Sequence, residues 1–260
     1  MSTPIVIIGC GRMGGAFARV WRTKHRVFAY DPAVTLPEGV EALEDLDAIP
    51  PRAIVLLAVK PQLLPDAAPA LRAQLGAGHV VVSIAAGITL ATLRTLLGPE
   101  PVLVRAMPNT PVAVGKGMTA AVTEALLDPA VSAGLEMLFG ETGAFLWLDA
   151  EAQLDAVTAI SGSGPAYFFR FAEALAAAGA AQGLPAPVAY ELARATLAGA
   201  GALAGPGTVL DQLRTEVTSP GGTTAAALAA METEGIEALA AAAVGAAIWR
   251  AGELAAEAAR

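Results

Sequence analysis

The chain contains little of what disulfides, metal centres and nucleic-acid interfaces require. Its 260 residues include 1 cysteine and 2 histidines, so neither an intramolecular disulfide nor a zinc site built from cysteine or histidine clusters is expected. The 16 basic and 24 acidic residues give a formal net charge of −8, which argues against binding along a phosphate backbone. Charged residues make up only 15% of the chain and apolar residues 55%, which excludes a disordered protein.

Long uninterrupted apolar runs are also missing, although the mean hydropathy is +0.57. The longest charge-free stretches, 174–190 and 195–210, are rich in alanine and broken by glycine and proline. Neither is a run of about 20 strongly apolar residues, which a membrane-spanning helix needs. No basic segment precedes the apolar run Ile5–Ile8, so no signal peptide is predicted. The sequence therefore predicts a soluble, cytoplasmic protein with no membrane and no nucleic-acid partner.

Short apolar runs alternate with helical patterns over residues 1–150. The predicted strands are Ile5–Ile8, Arg26–Tyr30, Ala53–Val59, Val80–Ala85, Val102–Ala106, Thr119–Thr123 and Phe145–Leu148. Helical patterns lie between several of them, at 14–24, 63–74 and 89–97. Short β-branched runs bounded by glycine, proline or aspartate are typical of buried strands. Their alternation with helices predicts an α/β domain with a parallel sheet covered on both faces.

Residues 151–260 show no strand pattern and are rich in alanine, leucine, glutamate and glycine. Breaks at 183–185, 205–206 and 219–222 divide this segment into four or five predicted helices. Small residues on nearly all helix faces would leave a single chain with an exposed apolar surface. We therefore predict a second, all-helical domain that forms a bundle between subunits.

A glycine-rich loop follows the first predicted strand directly. The run Gly9-Cys10-Gly11-Arg12-Met13-Gly14 matches G-x-G-x-x-G, in which the glycines make the tight turn, admit a pyrophosphate and pack the helix on the strand. Asp31 ends the second predicted strand, where a carboxylate can accept both ribose hydroxyls of a dinucleotide. A 2′-phosphate would meet the like charge of Asp31, with only Arg12 nearby to offset it, so the sequence favours NADH over NADPH. Cys10 is interpreted as a small packed residue.

Another candidate segment follows the third predicted strand. It reads Ala58-Val59-Lys60-Pro61, and its lysine comes at the carboxyl end of a strand. Ligands bind at the carboxyl ends of strands in sheets of this kind. Lys60 is therefore a candidate to line the cofactor site.

The helical part contains a loop rich in hydroxyl groups, Val217–Thr224. Serine and threonine side chains flank a Pro-Gly-Gly turn that leads into a predicted helix at 225–231. Such a loop directs several backbone N–H groups toward one point, with the positive end of a helix dipole behind them. This pattern predicts a receptor for a small carboxylate.

The chain resembles the pyrroline-5-carboxylate reductases, the enzymes of the last step of proline biosynthesis. Five segments carry the resemblance, in the family's order from residue 5 to about residue 250: Gly9–Gly14, Ala58-Val59-Lys60-Pro61, Met107-Pro108-Asn109-Thr110-Pro111, Ser161-Gly162-Ser163-Gly164-Pro165-Ala166-Tyr167 and Ser219-Pro220-Gly221-Gly222-Thr223-Thr224. The last of these is the most specific. The resemblance implies a Rossmann-like dinucleotide-binding domain followed by an all-α dimerisation domain.

The resemblance also implies a reaction, in which hydride passes from NADH or NADPH to the imine carbon of (S)-1-pyrroline-5-carboxylate and gives L-proline. Ser219 and the N–H groups of Gly222 and Thr223, in the turn made by Gly221, would hold the substrate carboxylate. The hydroxyl of Thr224 would bond to the ring nitrogen as the catalytic group. The cofactor residues implied are Gly9, Gly11, Arg12, Met13, Gly14, Asp31, Ala58, Val59, Lys60, Pro61 and Asn109. The family forms intertwined homodimers that often assemble into rings of five.

Two departures from the family pattern bear on these expectations. Many members carry an asparagine-type or basic residue where this chain has Asp31, which leaves the cofactor preference open. The usual Gly-x-His-Pro element before the carboxylate loop is absent from 204–213.

Three alternative functions were weighed. A β-hydroxyacid dehydrogenase would need a catalytic lysine, and no lysine follows Lys116. A dinucleotide-binding sensor without catalysis would not require the hydroxyl-rich loop. A related cyclic imine with a six-membered ring stays open, because the loop recognises the carboxylate rather than the ring size.

Overall fold

The computed structural model describes residues 3–258, in which an 8-stranded sheet is the central element. In chain order the strands are β1 (Ile5–Ile8), β2 (Val27–Tyr30), β3 (Glu41–Ala42), β4 (Ile54–Leu57), β5 (Val80–Ser83), β6 (Val102–Pro108), β7 (Gly117–Val122) and β8 (Gly143–Trp147). Their order across the sheet is β3-β2-β1-β4-β5-β6-β7-β8. All neighbours are parallel except β6 and β7.

Helices separate and follow these strands. They are α1 (Arg12–Trp21), α2 (Leu64–Gln74), α3 (Leu90–Leu97), α4 (Pro129–Gly140), α5 (Gln153–Val157), α6 (Gly164–Ala181), α7 (Ala186–Leu203), α8 (Leu210–Glu216), α9 (Thr223–Thr233) and α10 (Ile236–Ala258). A single π-helical turn, Thr158–Gly162, links α5 to α6. Among residues 3–258, no helix combines the length and the apolar composition that crossing a bilayer demands.

The sheet is buried on both faces, as the continuous apolar strands predict. Every residue of β1 is buried, and alternate side chains enter two separate cores. One core contains Val6 and Ile8 with the buried residues of α2 and α3. The other contains Ile5 and Ile7 with those of α1 and α4. Helices therefore cover both faces, which confirms the predicted α/β architecture.

Aromatic side chains fill much of the core between α1 and α4. The ring centroids of Phe17 and Trp21 lie 4.6 Å apart, and Phe139 meets both rings edge-on. The indole Nε1 of Trp21 donates a hydrogen bond of 2.8 Å to the carbonyl of Leu138. Trp21 is fully buried and hydrogen-bonded, and it therefore links α1 to α4.

The sheet is parallel, as predicted, except between β6 and β7. Only a 3₁₀ turn, Thr110–Val114, separates β6 from β7, and a connection this short cannot return the chain for a parallel pairing. The two-residue strand β3 was also missed, because two exposed residues carry no pattern of apolar alternation. The other strands form where the sequence predicts them, with ends that coincide or differ by one or two residues.

The chain divides into two compact units, one reaching to Gly162 and including the residues from Ala247 onward, the other Ser163–Ala246. The predicted division at residue 150 follows the change from strands to helices. The short helix α5 belongs to the first unit, because its Leu154 is fully buried in the core that also holds α2 and α3. Six α-helices, α5 to α10, follow residue 150, where four or five were expected.

We call β1–β8 with α1–α5 the sheet half and α6–α10 the helical half. Few residues of the helical half are buried. In α6 they are Gly164 and Ala176, and in α7 they are Ala189 and Ala193. Phe168 on α6 and Trp249 on α10 are 62% and 68% exposed. The large apolar residues of this half thus face outward from the single chain.

Candidate functional site

Close backbone contacts explain the glycines of the fingerprint. Gly9 has φ +91°, and a Cβ there would lie 2.8 Å from the carbonyl carbon of Ala58 at the end of β4. A Cβ on Gly14 would lie 2.0 Å from the carbonyl oxygen of Gly9. A Cβ on Gly11, by contrast, would meet no atom within 4 Å. Gly9 and Gly14 are therefore required for the tight turn, whereas Gly11 leaves open space beside the loop.

This open space faces the start of α1, which begins two residues earlier than the sequence predicts. Gly11 is the N-cap and offers no side chain to the first turn, while Gly15 donates to its carbonyl at 2.8 Å. The N–H groups of Arg12, Met13 and Gly14 accordingly have no partner in the described chain. Arg12 is exposed and Met13 half-buried. Free N–H groups at a helix start beside a cavity that a Cβ would fill suit a pyrophosphate.

Asp31 lies at the end of β2 and is bonded to the fingerprint itself. Its Oδ2 accepts the N–H of Cys10 at 2.7 Å, and its Oδ1 accepts the N–H of Ala33 at 2.9 Å. Each carboxylate oxygen accepts more than one hydrogen bond, so Asp31 can still receive ribose hydroxyls. Burial, and secondarily the charge of Asp31, raise the pKa of the Cys10 thiol. The thiol therefore stays protonated, in keeping with a packed rather than a nucleophilic Cys10.

The segment after β4 continues the same edge of the sheet. The N–H of Ala58 donates to the carbonyl of Ile8 at 2.8 Å, which holds this segment beside the fingerprint. Val59 and Pro61 are half-buried, whereas Lys60 is exposed and begins a 3₁₀ turn. The structure therefore brings these residues together with the fingerprint at the carboxyl ends of β1 and β4. The strand order reverses at this point, where dinucleotides bind in such sheets.

Asn109, a predicted cofactor residue, bonds through both ends of its amide to other parts of the chain. Its Oδ1 accepts the N–H of Met118 at 2.8 Å. Its Nδ2 donates to the carbonyl oxygen and to the Oγ of Ser161, at 3.1 and 3.2 Å. The side chain thus links the end of β6 to β7 and to the π turn Thr158–Gly162.

The hydroxyl-rich loop forms the start of α9 in the helical half. Gly221 has φ +69°, a conformation that favours glycine, and Gly222 is the N-cap without a side-chain cap. The N–H of Gly222 donates to the carbonyl of Ser219 at 3.0 Å, within the turn. The open donors are therefore the N–H groups of Thr223 and Thr224, one residue later than the pair expected from the resemblance.

The hydroxyl groups of this loop are available to a ligand. Within residues 3–258 no hydrogen bond engages the hydroxyls of Ser219, Thr223 or Thr224. Ser219 and Thr223 are exposed, and Thr224 is half-buried. These three free hydroxyls, with the free N–H groups of Thr223 and Thr224 at the positive end of an 11-residue helix, suit a small carboxylate.

The sequence does not predict a group of bonded residues in the sheet half, Arg105, Glu151 and Leu90, which we call the charged node. Arg105 of β6 has a side chain only 8% exposed, and its Nη1 lies 2.9 Å from Oε1 of Glu151. The same oxygen accepts the N–H of Leu90, the first residue of α3, at 2.8 Å. These three residues are far apart in sequence, so no local pattern indicates the node.

Comparison with known proteins agrees with this geometry. Residues 151–254 match the family model described as pyrroline-5-carboxylate reductase dimerisation, and residues 4–87 match the model of coenzyme F420-dependent NADP oxidoreductases. The pyrroline-5-carboxylate reductase of Pseudomonas aeruginosa is 38% identical over 98% of both chains. The chain belongs to the pyrroline-5-carboxylate reductase family. The resemblance found in the sequence is confirmed.

Other members of the family extend the similarity to whole structures. The enzyme of Mycobacterium leprae is 37% identical over 96% of both chains. The Coxiella burnetii pyrroline-5-carboxylate reductase structure has a TM-score of 0.90 and 31% identity, and covers 98% of this chain and 99% of its own. The Plasmodium falciparum enzyme, solved with NADP bound, has a TM-score of 0.78 and 27% identity over 98% and 100% of the two chains. The predicted pair of domains, a Rossmann sheet and an all-helical dimerisation domain, is thereby confirmed.

Proposed function

We propose that the chain reduces (S)-1-pyrroline-5-carboxylate to L-proline with NADH or NADPH. The observation that carries the proposal is the start of α9, where free N–H groups and free hydroxyls surround a glycine turn in the loop most specific to the family. The P. aeruginosa and M. leprae relatives are pyrroline-5-carboxylate reductases, which supports the same reaction. We assign cofactor binding to residues 1–150, and substrate binding and dimerisation to residues 151–260.

The carboxylate of the substrate is held by the loop from Ser219 to Thr224. The hydroxyl of Ser219 and the N–H groups of Thr223 and Thr224 donate to its oxygens, and the α9 dipole adds a favourable field. Gly221 and Gly222 allow the turn that exposes these donors. Because the loop carries no cation, it selects a carboxylate by hydrogen-bond geometry rather than by charge alone.

The hydroxyl of Thr224 forms a hydrogen bond with the ring nitrogen. A protonated imine is already electrophilic, so the protein mainly positions two reactants and excludes water. No histidine or cysteine follows residue 79, and a hydroxyl or a water stabilises the proton on nitrogen. The half-buried position of Thr224 supports this role.

The cofactor is held by the fingerprint and its neighbours. The N–H groups of Arg12, Met13 and Gly14 receive the pyrophosphate in the space above Gly11, and Lys60 lies at the same edge. The reduced nicotinamide, when bound, supplies the hydride. Asp31 receives the ribose hydroxyls and repels a 2′-phosphate, so we propose a preference for NADH over NADPH.

The test is oxidation of NADH and of NADPH by the purified chain, with and without pyrroline-5-carboxylate, with proline measured as the product. We expect substrate-dependent oxidation and a higher kcat/KM for NADH. A six-membered cyclic imine carboxylate is supplied in parallel, because the loop recognises the carboxylate, and a higher kcat/KM for that imine would favour the alternative substrate. Binding of both cofactors without any oxidation would favour the sensor instead, and a tenfold advantage for NADPH would overturn the preference.

Substitution of Thr224 tests the assigned role of its hydroxyl. We expect Thr224→Ala to lower kcat/KM by about tenfold or more, because a bond made to the reacting nitrogen is lost. Thr233→Ala is the matched control, since this hydroxyl bonds only to the carbonyl of Ala229 in the same helix. An unchanged kcat/KM in folded Thr224→Ala would refute the role.

We further propose that the chain acts in the cytoplasm as an intertwined homodimer, which can assemble into rings of five dimers. The outward-facing apolar residues of the helical half support dimerisation, because a surface of this kind marks a protein interface. The family model for residues 151–254 is named for the same property.

A further inference from the structure

The motif Ser161–Tyr167 supports the family assignment, yet the proposed function assigns no role to its residues. Its first residue, Ser161, lies in the π turn Thr158–Gly162 and is half-buried. Single π turns inside helices occur often at functional sites, because they displace the backbone locally and redirect its side chains. The position of Ser161 is therefore a candidate for contact with a ligand.

Asn109 forms hydrogen bonds to two atoms of Ser161. The amide nitrogen of Asn109 donates to the backbone carbonyl and to the Oγ of Ser161, while its Oδ1 and its own N–H bond to Met118. Only a side-chain amide supplies these donors and this acceptor together at such short reach. Asn109 is the only asparagine among the 260 residues. Its Oδ1, bonded to Met118, fixes the amide, and its Nδ2 holds Ser161 in one orientation.

The hydroxyl of Ser161 keeps its proton for another partner. A serine hydroxyl donates one hydrogen bond and accepts two, and Asn109 occupies one accepting position. Within the described residues no acceptor takes the proton of Ser161 Oγ. The oriented hydroxyl is thus a hydrogen-bond donor suited to a carbonyl oxygen.

The order of the strands places the hydroxyl of Ser161 on the side of β1 where the nicotinamide half of the cofactor is expected. Asp31, which receives the ribose of the adenosine half, ends β2 on one side of β1. The other half of a dinucleotide must extend the opposite way, across β4 and β5 toward β6, about 14 Å from β1 at the usual spacing of strands. Asn109 and the bonded Ser161 lie at the carboxyl end of β6.

We infer that Ser161 contacts the cofactor, donating its hydroxyl to the carboxamide oxygen of the nicotinamide, and that Asn109 is the positioning residue that orients it. The inference rests on the proposed use of NADH or NADPH. It reassigns Asn109 from direct contact with the cofactor to orientation of the residue that makes the contact.

Binding of NADH and of ADP-ribose tests the inference, because ADP-ribose lacks the nicotinamide. We expect Ser161→Ala to weaken NADH binding about fivefold to tenfold, as for the loss of one hydrogen bond, and to leave ADP-ribose binding unchanged. Ser161→Thr, which retains a hydroxyl, should restore part of the affinity. Ser132→Ala is the matched control, because its hydroxyl bonds to Glu136 on the surface of α4.

The positioning role of Asn109 is tested by Asn109→Asp, which keeps the acceptor for Met118 and removes the donors to Ser161. We expect the same selective loss of NADH affinity, and a double variant with Ser161→Ala no weaker than Asn109→Asp alone. Gln153→Glu is the control, since this amide uses only its oxygen, toward Asp149 and Ala150.

The outcomes separate the inference from the proposed function. Failure of the unaltered chain to bind NADH would overturn both. Normal NADH binding with an unchanged affinity in Ser161→Ala would overturn the inference alone. Equal losses for NADH and ADP-ribose would also overturn it, because they would place the effect away from the nicotinamide.

Discussion

The two halves of the molecule bury their apolar residues in opposite ways. In the sheet half, large side chains such as Trp21, Phe17 and Phe139 are fully enclosed between strands and helices of the same chain. In the helical half the buried residues are alanines and a glycine, and phenylalanines lie outside. The sheet half supplies its own core, whereas the helical half needs another surface to complete it. In the proposed assignment, the cofactor binds to the half that supplies its own core and the substrate binds to the half that does not.

The largest effect is expected from a charge on the outer face of the helical half. We predict that Phe168→Glu converts the dimer to a monomer in light scattering and abolishes turnover, because a carboxylate cannot be buried there without a partner. Leu126→Glu is the control, since Leu126 is an exposed apolar residue of the sheet half. A dimer that survives Phe168→Glu would contradict the difference between the halves.

An intermediate effect is expected at the charged node of the sheet half. Glu151→Ala leaves the buried Arg105 without its carboxylate and the start of α3 without an acceptor. We predict that the free energy of unfolding falls by about 3 kcal/mol in urea titrations. Glu41→Ala, which removes an exposed partner of Arg26, should leave the midpoint in place. Equal shifts for the two variants would show that burial of the pair contributes nothing.

The smallest effect concerns the choice of cofactor and should be confined to the sheet half. Asp31→Ser removes the charge that opposes a 2′-phosphate and keeps an acceptor for Cys10. We predict that the ratio of kcat/KM for NADPH to that for NADH rises about tenfold, or 1.4 kcal/mol, with KM for pyrroline-5-carboxylate unchanged. Asp45→Ser, at an exposed position, is the control. A change in the substrate KM would show that the two functions are not separated as proposed.

Local features of the site could be predicted, because neighbouring residues determine them. The fingerprint turn depends on Gly9 and Gly14, whose close contacts lie within one strand–turn–helix unit and the adjoining strand. The glycine turn before α9 is equally local, and the hydroxyl groups of Ser219 and Thr224 are free as the sequence suggests. Their roles toward ligands stay predictions.

Contacts between distant segments could not be predicted. The amide of Asn109 finds Ser161, 52 residues later, and Arg105 finds Glu151, 46 residues later. Neither pairing follows from periodicity, since each depends on which strands are neighbours and on the antiparallel turn into β7. The resemblance therefore indicated Asn109 as a site residue, but the partner of its side-chain amide could be identified only from the structure.

The burial of Trp21 and the exposure of Trp249 make the chain its own optical reporter. An indole enclosed by Phe17 and Phe139 emits at short wavelength whether or not a second chain is present. An indole in water emits at longer wavelength and shifts when another surface covers it. With the third indole removed by Trp147→Phe, intrinsic fluorescence followed during dilution therefore reads the association of the surface around Trp249 against Trp21, an internal reference fixed in the sheet half.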